Sequence, residues 1–411
     1  MSGTLAAPAP GAARAPGPAG AAVEPTLVDR VRTRLASSGG EPTPARVAAA
    51  LRAEGRVLGD AAVLGVVGAL RSEIAGAGLL EPLLRDPDVT DVLVNAPGEV
   101  WVDRGSGLER AAVGFPDDRA VRRLAQRLAA GAGRRLDDAS PYVDARLPDG
   151  VRLHAVLPPA SPRATCLSLR VFRRRGFTLE ELIESDTVPP EGASWLRAIV
   201  AARLAFLVSG GTGTGKTTIL STLLGLADPR ERLILVEDAG ELRPDHPHIV
   251  RLETRPPNLE RAGEITLRDL VRQSLRMRPD RIVVGEVRGA EVADLLAAFN
   301  TGHEGGCGTL HANTASDVPA RLEALGLAAG LTRPALHSQL SAGVEAIVHL
   351  GRVRGGRRRV VELCVLERAG SDHGGPVVSV PAVTFTSAGD LLPGPGEPRL
   401  RALLECREVT P

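Results

Sequence analysis

A glycine-rich segment at residues 210–217, with the sequence GGTGTGKT, combines residue types and spacing that point directly to chemistry. It matches the pattern G-x-x-x-x-G-K-[ST], follows the apolar run LAFLVS and precedes a run that favours a helix from Lys216. In that context backbone N–H groups converge on phosphates, the lysine reaches the β- and γ-phosphates, and the next hydroxyl, here Thr217, ligates Mg²⁺. We therefore predict an ATP and Mg²⁺ site formed by Gly210, Gly211, Thr212, Gly213, Thr214, Gly215, Lys216, Thr217 and Thr218.

Lys216 is the only lysine among the 50 basic residues of the chain. An excess of arginine could follow from a coding bias, but a lysine kept in this loop fits a position that needs a compact ammonium group. The alternative interpretation is a glycine-rich turn that holds no ligand. Guanine recognition through an Asn-Lys-x-Asp motif would require a second lysine, so GTP is not the expected nucleotide.

Acidic side chains follow two further apolar runs that predict buried strands. The run ILVEDAGE places Glu237, Asp238 and Glu241 at the end of one strand, and RIVVGEVR delivers Glu286 from another. The carboxyl ends of parallel strands face the ligand crevice of such a sheet. One of the first three acids could orient the attacking water, and Glu286 could orient water or the metal. A solvated strand end is the alternative for the first cluster.

A glycine-rich stretch at residues 301–313, TGHEGGCGTLHAN, contains two of the eight histidines. A lone histidine is more often structural, but this stretch follows the strand that delivers Glu286, so His311 could sense a γ-phosphate through a hydrogen bond. His303, Cys307 and His311 lack the spacing of a zinc site. We therefore predict a phosphate-sensing histidine and no structural zinc.

The composition narrows the possible partners. The formal charge of +1 and an aromatic content of 2% give neither a global basic field nor stacking platforms, so nucleic acid is not an expected partner. The four cysteines form no C-x-x-C pair, which favours a reduced, cytoplasmic protein. Because no apolar run is long enough to span a bilayer, we expect any membrane contact to be peripheral.

Hydrophobic periodicity and turn signals predict two α/β domains with flexible ends. Alternating runs indicate a small sheet in the first domain, and buried strands alternating with helices indicate a parallel sheet in the second. The predicted segments are a disordered Ala/Pro/Gly-rich tail at 1–25, a helical region at 26–80, an α/β domain at 81–173, a linker at 174–190, a P-loop domain at 191–366 and an extension of uncertain order at 367–411.

The order of these motifs resembles the secretion-superfamily ATPases that power type II and type IV secretion and type IV pili. In that family EDAGEL, RPDRIVVGEVRG and TGHEGGCGTLHAN correspond to the Asp box, Walker B motif and His box. The segments ETRPPN, DVLVNAPGEVWVDRG and VDARLPDGVRLHAVLPP are similar to the tight-adherence (TadA/CpaF) branch. The resemblance covers about residues 80–365 and implies a RecA-like P-loop NTPase domain after a smaller α/β domain.

The resemblance also implies roles for individual residues. Glu241 matches the Asp-box glutamate that polarises water, Glu286 the Walker B glutamate, and His311 the His-box histidine nearest the phosphate. Arg152 and Arg170 match first-domain segments whose arginines reach the phosphates in this family; surface ion pairs are the alternative. Cys307 and the two glycines before it depart from the usual small polar residues of the His box, and no Cys-rich zinc insertion is present.

At the level of the assembly, the resemblance implies a homo-hexamer that binds ATP between its two domains. Such a motor would lie at the cytoplasmic face of the inner membrane, contact platform proteins, and drive Tad/Flp-type pilus assembly or protein secretion. A conjugation-associated nucleic-acid motor is the alternative enzyme. A scaffold that binds nucleotide without turning it over is a third class, against which Glu241, Glu286 and His311 argue.

Overall fold

The computed structural model describes residues 34, 44–55, 76–105, 107–171, 176–255, 257, 262–353, 356–370, 375–386 and 388–411. The chain divides into two compact units, Met1–Phe172 and Arg173–Pro411. The predicted tail at 1–25 and most of the predicted helical region at 26–80 lie outside the described residues. Within the described part of the chain, no helix combines the length and apolarity needed to cross a membrane.

The first unit is a small α/β domain built on an antiparallel sheet with the strand order β3-β2-β1-β6-β5-β4. Buried residues alternate with more exposed ones along β1, β2, β4, β5 and β6, so one face of the sheet packs on the core with Val121 and Leu124 of α3. The described elements are α1 (Pro44–Ala53), α2 (Glu81–Arg85), β1 (Asp91–Ala96), β2 (Glu99–Asp103), β3 (Leu108–Arg110), α3 (Asp118–Gly131), β4 (Tyr142–Arg146), β5 (Arg152–Val156) and β6 (Cys166–Arg170).

The second unit is a larger α/β domain around a mixed sheet with the order β15-β14-β13-β12-β7-β11-β10-β8-β9. Its described elements are α4 (Leu179–Glu184), α5 (Pro190–Ala201), β7 (Phe206–Gly210), α6 (Lys216–Leu224), β8 (Leu233–Glu237), β9 (Ile249–Glu253), α7 (Leu267–Ser274), β10 (Arg281–Val287), α8 (Glu291–Phe299), β11 (Cys307–His311), α9 (Val318–Ala328), α10 (Arg333–Gly343), β12 (Ala346–Arg352), β13 (Arg358–Arg368), β14 (Val377–Phe385), β15 (Leu391–Pro393) and α11 (Glu397–Glu405).

Helices cover both faces of this sheet. Strands β12, β7, β11, β10, β8 and β9 run parallel, whereas β13 to β15 are antiparallel additions. Phe206 and Val208 of β7 belong to one core with α4, α5, α6 and α11, and Leu207 belongs to a second core with α7 to α10. Burial on both faces explains why β7, β8 and the first half of β10 read as continuous apolar runs. The predicted two-domain α/β fold is confirmed.

The described part of the predicted linker belongs to the second unit. Residues 176–190 contain α4, and Leu179, Leu182 and Val188 are buried in the core of that unit. Thr178 begins α4 with a capping box in which its hydroxyl accepts the N–H of Glu181. The proline-rich sequence TVPPEG suggested an interdomain connection, but Val188 is buried and residues 190–192 form the first turn of α5.

The predicted C-terminal extension is also an integral part of the second unit. The boundary at residue 366 falls inside β13, and the following residues supply β14, β15 and α11. The guanidinium of Arg401 on α11 lies 4.9 Å from the centroid of the Trp195 ring on α5. The turn-rich sequence conceals these elements, although β14 pairs with the preceding strand β13 and β15 pairs with β14.

Candidate functional site

The predicted phosphate loop joins the end of β7 to the start of α6. Gly215 occupies the N-cap of α6 with a φ of 94°, which strains any residue with a side chain, so glycine is needed for the chain to enter the helix. The backbone N–H groups of residues 212–215 lie directly before the first turn of α6. Because they lie at the positive end of the α6 dipole, they can receive an anionic group.

The Lys216 side chain folds back across this loop. Its ammonium donates to the carbonyl oxygens of Gly210 at 3.0 Å and Gly211 at 2.9 Å, and lies 3.2 Å from Nδ1 of His311. The residue is 7% exposed, and this burial lowers the pKa of Lys216, which the carboxylate of Glu286 partly offsets. The ammonium therefore lies where phosphate oxygens can replace its carbonyl partners.

His311, at the end of β11, joins Lys216 to Glu286. Its Nε2 lies 3.2 Å from Oε1 of Glu286. Because an ammonium can only donate, Nδ1 accepts from Lys216 and the ring proton lies on Nε2, directed at the carboxylate. Burial, followed by the charge of Lys216, lowers the pKa of His311, which agrees with a neutral ring. The fold thus brings three predicted residues together from three separate segments.

The acids that follow β8 have distinct environments. Glu237 is 3% exposed, and burial raises its pKa to about 7. Its Oε1 accepts the backbone N–H groups of Glu241 and Leu242, each at 2.8 Å. Asp238 forms an ion pair with Arg288. The half-buried Glu241 therefore lies on a turn that is held by the side chain of Glu237.

The threonines of the loop also differ in position. Thr214 is buried and donates to the carbonyl oxygen of Gly211 at 2.9 Å, Thr212 is exposed, and Thr217 and Thr218 are half-buried in the first turn of α6. Among the described residues, no group of three or more His, Cys, Asp or Glu side chains is arranged to hold a metal ion. The donors present fit a Mg²⁺ that takes most of its ligands from phosphate and water.

Arg152 and Arg170 lie in the first unit, on the exposed face of its sheet. They are direct cross-strand neighbours on β5 and β6. Arg152 pairs with Asp144 at 2.8 Å, and Arg170 lies 3.8 Å from Asp91. The surface ion pairs that were the alternative interpretation are therefore present, and a phosphate contact by either arginine stays a prediction.

Two side chains beside the loop were missed by the sequence reasoning. Nδ1 of His349, on β12, lies 2.8 Å from the hydroxyl of Ser209 on β7, and both residues are buried. Arg352, at the end of β12, donates to the carbonyl oxygen of Gly213 at 3.3 Å. A histidine within the apolar run AIVHLG carries no motif signal, whereas Arg352 belongs to the basic run GRVRGGRRR, which is visible in the sequence.

A strand–loop–helix phosphate site with acids and a histidine on the neighbouring strands defines the class as a P-loop nucleotide-binding protein. Residues 73–369 match the family described as Type II/IV secretion system protein. The match covers more than half of the 411 residues, and the chain belongs to this family.

Individual relatives agree with this membership. The chain is 58% identical over 319 residues to a putative conjugal transfer protein of Mycobacterium tuberculosis, which covers 76% of this chain and 91% of that protein. It is 33% identical over 315 residues to the type IV secretion system protein PtlH of Bordetella pertussis, covering 69% of this chain and 92% of that protein.

Solved structures share the fold. The Legionella pneumophila ATPase DotB superposes with a TM-score of 0.51 at 18% identity, covering 70% of this chain and 79% of DotB. The pilus retraction motor PilT with bound ADP gives a TM-score of 0.52 at 20% identity, covering 71% of this chain and 83% of PilT. At these identities the likeness concerns the two-domain α/β fold alone.

Proposed function

We propose that this chain is a Mg²⁺-dependent ATPase that serves as the motor of a secretion machine. One observation carries the proposal: Lys216, His311 and Glu286 converge at the start of α6, beside the backbone N–H groups of the phosphate loop. This combination provides anion binding, a hydrogen-bonding histidine and a carboxylate within one site. Membership in the secretion family supports the same interpretation.

In this proposal each residue has a distinct task. Lys216 and the loop N–H groups hold the β- and γ-phosphates, and Thr217 and Glu286 hold Mg²⁺ directly or through water. Bound Mg²⁺ would neutralise phosphate charge. Glu241 polarises the attacking water from the turn after β8. When phosphate oxygens take up the Lys216 ammonium, Nδ1 of His311 loses its donor and can take part in sensing the nucleotide.

Nucleotide binding to the purified full-length protein tests the central claim. Removal of a charged hydrogen-bond donor in Lys216→Ala should weaken ATP binding by roughly 10- to 100-fold or more. Arg230→Ala is the matched control, because it removes a cation that is 90% exposed and pairs with Asp228. Equal ATP affinity in the wild type and the Lys216 variant would refute the assignment.

We further propose that the motor is a homo-hexamer at the cytoplasmic face of the inner membrane, where it engages platform proteins of a Tad/Flp-type pilus or protein secretion system. The motifs ETRPPN and VDARLPDGVRLHAVLPP support this branch. Deletion of the gene should abolish surface pili or the export of a protein. The wild-type gene should restore the lost function, and the Lys216→Ala variant should not. Normal piliation and export in the deletion strain would contradict it.

A second candidate is a conjugation-associated motor for nucleic-acid transfer. The names of the Mycobacterium tuberculosis relative and of the conjugal transfer protein TrbB of Rhizobium radiobacter, 31% identical over 295 residues, favour it. A low aromatic content and a net charge of +1 argue against direct contact with a nucleic-acid strand. ATPase rates with and without single-stranded DNA separate the candidates, because stimulation by DNA would favour conjugation.

A further inference from the structure

The carboxyl group of Glu237 spans the gap between a strand end and the turn that follows it. Glu237 is the last residue of β8, and its Oε1 accepts the N–H groups of Glu241 and Leu242 at 2.8 Å each. Two consecutive N–H groups directed at one oxygen define the path of the backbone at that point. The position of Glu241 therefore depends on where the Glu237 side chain lies.

A second strand constrains that side chain. β10 runs parallel to β8, with Val284 opposite Val236, so Gly285 lies next to Glu237. A Cβ added to Gly285 would lie 2.8 Å from Cγ and 3.3 Å from Oε1 of Glu237. Real Cβ atoms essentially never approach so closely, so the side chain fits only because residue 285 is glycine. The residue after this glycine is Glu286.

We propose that Glu237 is a positioning residue, which holds the turn carrying Glu241 in a fixed place relative to the strand carrying Glu286. The inference rests on the proposed ATPase function and adds to it a residue that acts through the turn it holds. Glu241 and Glu286 lie on different segments of the chain, so their separation is set by this side chain and by the β8–β10 pairing.

The protonation state of Glu237 does not affect this role. Burial raises its pKa to about 7, yet both the carboxylate and the neutral carboxyl group keep an oxygen that can accept the two N–H groups. Among the described residues, Oε2 has no hydrogen-bond partner. A glutamine, whose amide oxygen accepts in the place of Oε1, should therefore preserve the turn.

Four variants of the full-length protein test the proposal by steady-state ATPase kinetics. Glu237→Met removes both acceptors at similar length, Glu237→Asp keeps a carboxylate that is too short to reach the turn, and Gly285→Ala displaces the side chain. Since small misplacements of catalytic groups cost about 100-fold in rate, we expect kcat to fall by about that factor in all three. KM and nucleotide Kd should stay within about threefold of wild type, and Glu237→Gln should keep kcat within the same factor.

Hydrogen–deuterium exchange of the nucleotide-free protein gives a readout that does not require activity. The amides of Glu241 and Leu242 should exchange faster in Glu237→Met, Glu237→Asp and Gly285→Ala, and at the wild-type rate in Glu237→Gln. Wild-type kcat in the folded Met and Asp variants, or unchanged protection of both amides, would overturn the positioning role. If the wild-type protein itself hydrolyses no ATP, the proposed function fails, and the exchange pattern alone then decides whether Glu237 holds the turn.

Discussion

The buried carboxyl group of Glu237 should make the stability of the protein depend on pH in a way that Glu237→Gln removes. Its pKa is raised from 4.5 to about 7 by burial, so folding disfavours the ionised form. For a group whose pKa is higher in the folded state, the stabilising contribution is complete below the unfolded pKa. It is lost as pH rises through the folded pKa.

The expected change in the free energy of unfolding follows from the pKa of Glu237 in the unfolded and folded states. Linkage gives a destabilisation of about 1 kcal/mol at about pH 5.5 and about 3 kcal/mol at about pH 8 in the wild type. Glutamine keeps the acceptor oxygen and does not ionise, so the variant should lack this dependence. The stability gap between variant and wild type should therefore widen by about 2 kcal/mol between those pH values.

Thermal unfolding at both pH values measures the effect. For a unit of this size, about 2 kcal/mol corresponds to roughly 5 °C in Tm, with the variant gaining relative to the wild type at the higher pH. Glu405→Gln is the control, because it removes the same charge from an exposed position on α11 and should follow the wild type at both pH values. A gap in Tm that is equal at both pH values would refute the buried-carboxyl reasoning.

Three other predictions concern the site and the thiols. Lys216→Arg keeps the charge but replaces a compact ammonium that fits between two carbonyl oxygens, so ATP affinity measured by titration should fall. An affinity equal to that of the wild type would contradict this steric argument. Glu286→Gln should bind ATP with wild-type affinity and lose turnover in a phosphate-release assay, whereas joint loss of both would point to a structural role. Burial raises the pKa of Cys307 and of Cys364 to about 12, so both thiols should resist alkylation near neutral pH in the folded protein. Mass spectrometry should show both unmodified before denaturation and modified after it. Fast labelling of either thiol in the native state would contradict their burial.

Much of the candidate site could be predicted because its signals are local. A phosphate loop needs a fixed order of glycines, a lysine and a threonine within eight residues, and the same segment forms the strand end and the helix start that position them. Glu286 is the penultimate residue of β10 and His311 the last residue of β11, and the parallel pairing of β10 with β11 and of β11 with β7 brings both to the loop.

The domain boundaries were harder to predict because a turn-rich sequence can still form packed helices and strands. The prolines near residue 189 suggested a linker, but Pro190 occupies the first turn of α5, a position where proline is well tolerated. The region after residue 366 has no strong hydrophobic periodicity, yet its strand β14 pairs with β13 and extends the sheet. Such strands are stabilised by partners and not by their own composition.

By itself, the sequence determined the chemistry of the phosphate loop, the α/β class and the residues from which the acids and the histidine come. These properties depend on spacing within short segments. Only the tertiary structure decided that Lys216 contacts His311, that Glu237 holds the turn bearing Glu241, and that Arg152 and Arg170 form ion pairs. The physical reason is that each of these contacts joins atoms from different strands or turns, and their distances exist only once the sheets have formed.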